Sequence, residues 1–368
     1  MNFDYDENQL LFRASVERFL EGSDIASRKA LRAAPGGIDR NRWQAMADLG
    51  LTAMALAEDK GGLGSSRLDL VAVGESFGLR ISSDNWLENA VLPLAIIGQA
   101  LPEGHAITDA LVSGEALAAL ALFEPDGRHV TTPQTTTARA SASGYVLSGD
   151  KTFVLGGMAA DWLLVSAVLD SAPALFVVAG DARGLFRRGY QVIDGNIAAQ
   201  VQLRGCEVGS DARLVLDWSA VDIALTTGQL IAAAEMTGLA QRLFDDTLAY
   251  VRQREQFGQP IGRFQAIQHR MVDCYGLVDQ CRSALIAAVT SGDAAEIAGM
   301  KAVVADAALH IGREAIQLHG GMGTTDELEI GHAHKRVLLL SQWLGDAACG
   351  LDAYAANADV PDAYERAA

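Results

Sequence analysis

Residues 254–270, REQFGQPIGRFQAIQHR, set two arginines and an aromatic side chain around a Gly-Gln-Pro-Ile-Gly turn before an apolar helix resumes. A turn of this kind allows two readings, a plain helical hairpin or a grip for a ligand that is anionic and flat. Short basic runs occur elsewhere in LFRRGY (Arg187, Arg188) and HKR (Lys335, Arg336), which are solvated faces or contacts for phosphate groups. Metal chemistry is not indicated by spacing: Cys206, Cys274, Cys281 and Cys349 form no CxxC pair and no ligand pattern with histidine. Cys274 and Cys281 stand seven apart on one helical face, as core residues do. His332 and His334 lie two apart, so on a helix they point to different sides.

Those residues need a large scaffold, and 368 residues supply one, enough for two or three structural units. Half the residues are hydrophobic and 20% are charged, which excludes a disordered chain. The formal charge of −17 argues against nucleic acid, whose backbone is bound by Lys and Arg that displace counterions. The opening MNFDYDENQLLFRASVERFL is acidic and amphipathic rather than basic and then apolar, and no stretch is long and apolar enough to span a bilayer. A cytoplasmic protein with no membrane or nucleic-acid partner is expected.

Three zones differ in pattern. Residues 1–118 carry apolar side chains at three-four spacing and read as a helical domain. Residues 119–218 alternate Thr, Val and Leu in short runs cut by Ser-Gly, Gly-Asp and Gly-Gly, which predicts a small antiparallel β domain. Residues 219–368 return to long Ala- and Leu-rich helices ended by Gly and Asp, four of which would pack as an antiparallel bundle. The fold class expected is α+β, with helices on either side of a sheet.

This order, together with REQFGQPIGRFQAIQHRMVD and AIQLHGGMGTTDE, resembles the acyl-CoA dehydrogenase family. EDKGGLG resembles the family's N-terminal Gly-Gly loop, ALFEPDG its first flavin strand and LSGDKTFVLGG its second. The resemblance implies FAD, an acyl-CoA substrate, an electron-transferring flavoprotein as acceptor, and a carboxylate base that removes the proton α to a thioester while hydride passes to the flavin. Such a base needs a dry site, and the enolate needs hydrogen-bond donors. In homo-oligomers of the family one flavin uses two subunits, the β domain of one for the ring and the C-terminal helices of the other for the ADP end. The ADP-side residues correspond here to Arg254, Phe257, Gln265, Gln317, Gly320 and Gly321. Arginine suits a pyrophosphate because its planar fork binds two oxygens and stays charged, and adjacent glycines allow close backbone approach. Arg187 and Arg188 are candidates for the phosphates of CoA.

The ring side departs from the family's pattern. Phe123 and Leu155 stand where hydroxyl side chains are usual, although Phe153 keeps the aromatic position. Both usual positions of the base lack a carboxylate, being Leu344 and Gly228. Two stand-ins remain: Asp346, two residues past Leu344, and Glu235, seven past Gly228 and so about 10 Å along nearly the same helix face. TDELEIGHAHKRVLLLSQWLGDA resembles the small subunits of two-chain members that act on pimeloyl-CoA or on CoA esters of sterol side chains. The resemblance therefore implies a subunit that contributes the ADP half of a flavin site and works with a second dehydrogenase chain. A self-sufficient homotetramer using Glu235 or Asp346, and a non-catalytic structural partner, stay open as alternatives.

Overall fold

Helix boundaries follow the caps that the sequence supplies. In the computed structural model, which describes residues 6–357, Asp6 and Gln9 form a reciprocal capping box at the start of α1 (Glu7–Leu20). Residues 1–5 and 358–368, the outer ends of the two helical zones, lie outside the described residues. α2 (Ile25–Ala33) and α3 (Arg40–Asp48) follow, and Ser66 with Asp69 makes a second capping box for α4 (Arg67–Leu79). A π turn at Leu87–Val91 leads into α5 (Leu92–Ala100), and α6 (Ala106–Val112) closes the first helical part.

The sheet comprises β1 (Ala118–Ala121), β2 (Thr137–Ser141), β3 (Gly144–Leu155), β4 (Trp162–Leu169), β5 (Ala172–Ala179), β6 (Leu185–Gln191), β7 (Ile197–Gly209) and β8 (Arg213–Leu214). Its order is β6-β7-β3-β2-β4-β5-β8, with β1 added beside β4. The sheet is mixed rather than purely antiparallel, because β1 and β2 both meet β4 in parallel. Parallel pairing needs a longer return path than a hairpin, which the short-strand pattern could not reveal. Alternate residues of β4 and β5 face two different cores: Leu163, Val165, Phe176 and Val178 join a cluster made of sheet residues, whereas Leu164, Leu175 and Val177 join the cluster that includes the helices.

After the sheet come α7 (Trp218–Gln253), α8 (Gln265–Ser291), α9 (Ala294–His319), α10 (Glu329–Gln342) and the short α11 (Ala347–Asn357). Asp217 and Asp293 cap α7 and α9, and Gly292 at φ 66° ends α8. α4 crosses α7 at Gly78 and Gly238, where a Cβ would collide with the carbonyl of Glu235 or of Glu75. The two helical parts thus touch backbone to backbone. Three of the four thiols, Cys206, Cys274 and Cys281, are buried, and burial pushes Cys274 up to about 11 and Cys281 up to about 12. They are core residues in fact. Among the described residues no helix is long and apolar enough to cross a membrane.

One guanidinium ties the three parts together. Arg336 on α10 is 4% exposed and donates to Glu235 of α7 at 2.7 and 3.1 Å, to Glu88 of the π turn at 3.1 Å and to Asp194 of the β6–β7 turn at 3.1 Å. Its charge is correspondingly fixed, the three carboxylates outweighing the cost of burial. Burial, and secondarily the charge of Glu235, raises the carboxyl of Glu88 above its ordinary 4.5, against the opposing pull of Arg336. Removing the cation that three buried acids share should cost about 3–5 kcal/mol, so Arg336→Met is expected to express poorly and to unfold at much lower urea. Glu88→Gln keeps an acceptor for Arg336 and removes one acid. A raised folded-state pKa stabilises below the ordinary value and loses that contribution as pH rises through the folded value. Relative to Glu88→Gln, the wild type should therefore be less stable at pH 8 than at pH 5 in paired urea titrations.

Candidate functional site

The nucleotide-side residues come together at one end of the C-terminal helices. α7 ends where Arg254 leaves helical geometry, and a two-residue ladder pairs Glu255-Gln256 with Gln259-Pro260 across the turn. Tyr250, one turn before Arg254, stacks on His319 at 4.2 Å between ring centres, which sets the end of α7 beside the Gly320-Gly321 turn after α9. Arg254, Phe257, Gln265, Gln317, Gly320 and Gly321 are all exposed. The Arg254 guanidinium makes no hydrogen bond or ion pair among the described residues. Gly320 adopts φ 63° and ψ −143°, a conformation essentially confined to glycine, and a Cβ on either glycine would meet nothing within 4 Å. Phe257 is 91% exposed in left-handed backbone, φ 54°, its ring edge-on to Phe264 at 6.2 Å. A free cation, open glycine backbone and an aromatic ring held in water fit an anionic, planar ligand end, such as the ADP part of FAD.

The ring-side residues form something different. Phe123, Phe153, Leu155 and Leu344 line an inner cavity of only ≈ 10 Å³, together with Leu92, Leu120, Leu122, Leu225, Trp343 and Glu88. That is about the space of one water centre. The two positions without a carboxylate face each other here, since a Cβ on Gly228 would lie 2.7 Å from Leu92 and 2.9 Å from Leu344. Glu88 Oε2 is buried without a hydrogen-bond partner. On the outer side of the same wall of Phe123, Phe153, Trp343 and Leu344 lies a cleft of ≈ 350 Å³, reached by Glu124, Arg128, His129, Thr152 and Asp346. No side-chain hydroxyl replaces those missing at Phe123 and Leu155 on the inner wall. A flavin ring does not fit this inner cavity.

Beneath the cleft the strands are pinned by an internal ion pair. Lys151 Nζ, fully buried, donates to Glu124 at 2.9 Å, to Ser166 at 2.9 Å and to the Leu122 carbonyl at 3.2 Å. Burial pushes this lysine down to about 8, and Glu124 offsets part of that. Phe153 follows at a bulge in β3 with φ 54°, its N–H donating to Tyr190 Oη at 3.1 Å.

Several sequence candidates are placed differently from what their positions implied. Glu235 is 4% exposed, doubly bonded to Arg336, and lines neither the inner cavity nor the cleft. A carboxylate so engaged is half of an ion pair, not a base beside a substrate. Asp346 borders the cleft, but it caps α11 through the Cys349 N–H at 2.9 Å and meets His129 at 3.2 Å. The Cys349 amide, then burial, then His129 act on its carboxyl, with the net effect of lowering it. Arg187 is no surface contact for CoA, because its guanidinium is spent on the carbonyls of Gly157, Ala160 and Gly180. Arg188 is exposed and bonds Gln200 at 3.0 Å. Lys335 pairs with Asp326, and Arg336, read as part of a basic run, is the buried centre of the fold. Glu88 and His129 escaped notice; the signal for Glu88 was a lone acid in the apolar run NWLENAVLPLAII.

Residues 218–358 match the C-terminal domain of acyl-CoA dehydrogenases, and residues 6–84 match their N-terminal domain. The chain belongs to the acyl-CoA dehydrogenase family. Members of that family are oxidoreductases acting on acyl-CoA. Isovaleryl-CoA dehydrogenase of Arabidopsis thaliana mitochondria is 27% identical over 351 residues, covering 89% of this chain and 85% of the relative. Among solved structures, a chain of the ChsE4-ChsE5 complex from Mycobacterium tuberculosis superposes with a TM-score of 0.89 at 25% identity, covering 98% of this chain and 100% of that one. A chain of the Tcur3481-Tcur3483 steroid ACAD gives 0.84 at 26% identity, covering 95% and 97%.

In this acyl-CoA dehydrogenase chain the Glu124–Lys151 pair sets the shape of the cleft floor. Burial alone would raise the Glu124 carboxyl, but Lys151 and the amides of Thr136 and Thr135 outweigh it and hold it far below the ordinary 4.5. Its contribution is thus complete above 4.5 and is lost as pH falls through the folded value. Glu124→Gln should cost about 3–5 kcal/mol at neutral pH by leaving buried Lys151 without a counter-charge. The gap between variant and wild type, followed by urea unfolding, should narrow on acidification below pH 4.5.

Proposed function

We propose that this chain is one subunit of a two-chain, FAD-dependent acyl-CoA dehydrogenase. It grips the ADP end of the flavin, while a second dehydrogenase-like chain supplies the ring pocket and the base. The observation that carries this reading is the contrast between the two ends of the site: six exposed nucleotide-side residues with an unpaired Arg254, against an inner cavity of ≈ 10 Å³ walled by Leu344 and Phe123. The bound flavin supplies the hydride acceptor. This chain's part is to fix it, with the Arg254 fork on the pyrophosphate, glycine backbone at Gly320-Gly321 close to the nucleotide, and Gln265 and Gln317 as hydrogen-bonding partners. The likeness to a chain of a named two-component complex favours a hetero-oligomer, and the likeness to a steroid ACAD favours a bulky acyl-CoA as substrate. An electron-transferring flavoprotein is the acceptor we propose, and the cytoplasm the compartment.

Expression of the chain alone and together with an adjacent dehydrogenase-like gene product decides the matter. The chain alone should be colourless, and the pair should carry flavin that bleaches with an acyl-CoA. A yellow protein that bleaches when purified by itself would overturn the subunit reading. Within the pair, Arg254→Ala should release the flavin while changing this chain's stability by no more than about 0.5 kcal/mol, since an exposed, unpartnered side chain contributes little to folding. Flavin absorbance per complex and a urea titration give the two readouts.

A further inference from the structure

The β1–β2 loop and the turn between α10 and α11 bring three different donor types to one point beside the outer cleft. His129, Asp346 and Cys349 each present one ligand atom, and these atoms all lie within 4.8 Å of one another. His129 is 217 residues from Asp346, so no sequence spacing could have paired them. We propose that these three side chains form a zinc site, with nitrogen, oxygen and sulfur donors and a fourth position open to the cleft.

Both backbones that carry the donors are held from behind. On the loop side, Glu124 accepts from the amides of Gln134, Thr135 and Thr136, and the Gly127 and Val130 amides close successive tight turns around His129. On the helix side, Leu344 at φ 60° and Gly345 at φ 102° reverse the chain, Gln229 donates to the Leu344 carbonyl at 2.7 Å, and Lys301 to the Gly345 carbonyl. Asp346 and Cys349 then fall three residues apart across the first turn of α11, on neighbouring positions of one face. The side chains of His129 and Asp346 are about one-third exposed and Cys349 is exposed, so an ion has an entry path and room for rotamer adjustment.

A mixed N, O and S set suits a borderline cation, and three protein ligands with one open position is the arrangement zinc accepts. Tetrahedral ligands about 2.0–2.3 Å from the metal stand somewhat closer together than the 4.8 Å within which these atoms lie, so binding requires a closure of at most about 1–1.5 Å. Charge balances: Cys349 loses its proton to solvent, His129 binds neutral, and the thiolate and the Asp346 carboxylate neutralise the dication. Lys301 behind the turn and Arg128 along the cleft are the nearby cations, and both favour an anionic fourth ligand over a second metal. The ion would clip the β1–β2 loop to the start of α11 and so fix the outer wall of the cleft. This inference rests on the proposed subunit role, in which the flavin ring lies on the second chain and leaves this cleft free, and zinc titration reads it separately from flavin content.

The test is titration of chelator-treated full-length chain, or of the co-expressed pair if the chain requires it, with zinc by calorimetry and with cobalt by absorbance. One equivalent per chain is expected, with a thiolate-to-cobalt charge-transfer band. His129→Ala and Cys349→Ser should each weaken zinc binding by tenfold or more, and Cys349→Ser should also abolish the band. Asp346→Asn, which keeps the helix cap, should weaken binding without unfolding α11 and so guards against a merely misfolded variant. No saturable binding, or binding unchanged in all three variants, would overturn the site and leave the cluster as a capped helix with a histidine hydrogen bond.

Discussion

Burying one cation among three acids is the constraint on which the arrangement of this molecule depends. Arg336 cannot leave its position without stranding Glu88, Glu235 and Asp194, and each of those comes from a different part of the chain. The orientation of the first helical part, the sheet and the C-terminal helices is therefore set by directional bonds, and not only by apolar packing. Buried ion pairs of this kind contribute little net stability compared with a hydrophobic core, yet breaking one is expensive. Here they determine which side of the sheet meets which helix, and so where the inner cavity and the outer cleft fall.

Around that centre the two ends of the site follow opposite physical rules. At the nucleotide end, polar groups are left without partners and in water, where they keep their hydration and cost little until a ligand arrives. On the inner side of the ring-end wall, large apolar groups are packed to near closure, and Glu88, which also lines the cavity, has one carboxylate oxygen buried without a partner. An open anion grip and a closed apolar chamber thus stand in one chain, with the outer cleft on the far side of the chamber's wall. The contrast between them is what the proposed two-chain site accounts for.

Much of this was legible in the sequence because the relevant signals are local. The three-four and two-residue periodicities, the Asp and Ser caps and the Gly stops fix element types through neighbours a few residues away. The turn after Arg254 and the glycines at 320 and 321 were legible for the same reason. What stayed hidden depends on pairs distant in sequence. Nothing near Glu235 says that Arg336 will take both its oxygens, and a basic run containing Arg336 looks like surface until the sheet and helices are assembled. Arg187 was misread similarly, since the carbonyls that consume its guanidinium lie in loops before and after β4 and β5. The parallel pairing of β1 and β2 with β4 also comes from tertiary closure, which no strand encodes by itself.

The wall formed by Phe123, Phe153, Trp343 and Leu344 limits what any single replacement could do. An acid installed at Gly228 would run into Leu92 and Leu344, whereas one installed at 344 would stand between the closed apolar cavity and the outer cleft, where Arg128 and His129 are the nearby groups that could hold its charge. A larger side chain at 228 therefore requires smaller ones at 92 and 344. These three positions are thus bound to vary as a set, since a side chain added at 228 meets the other two.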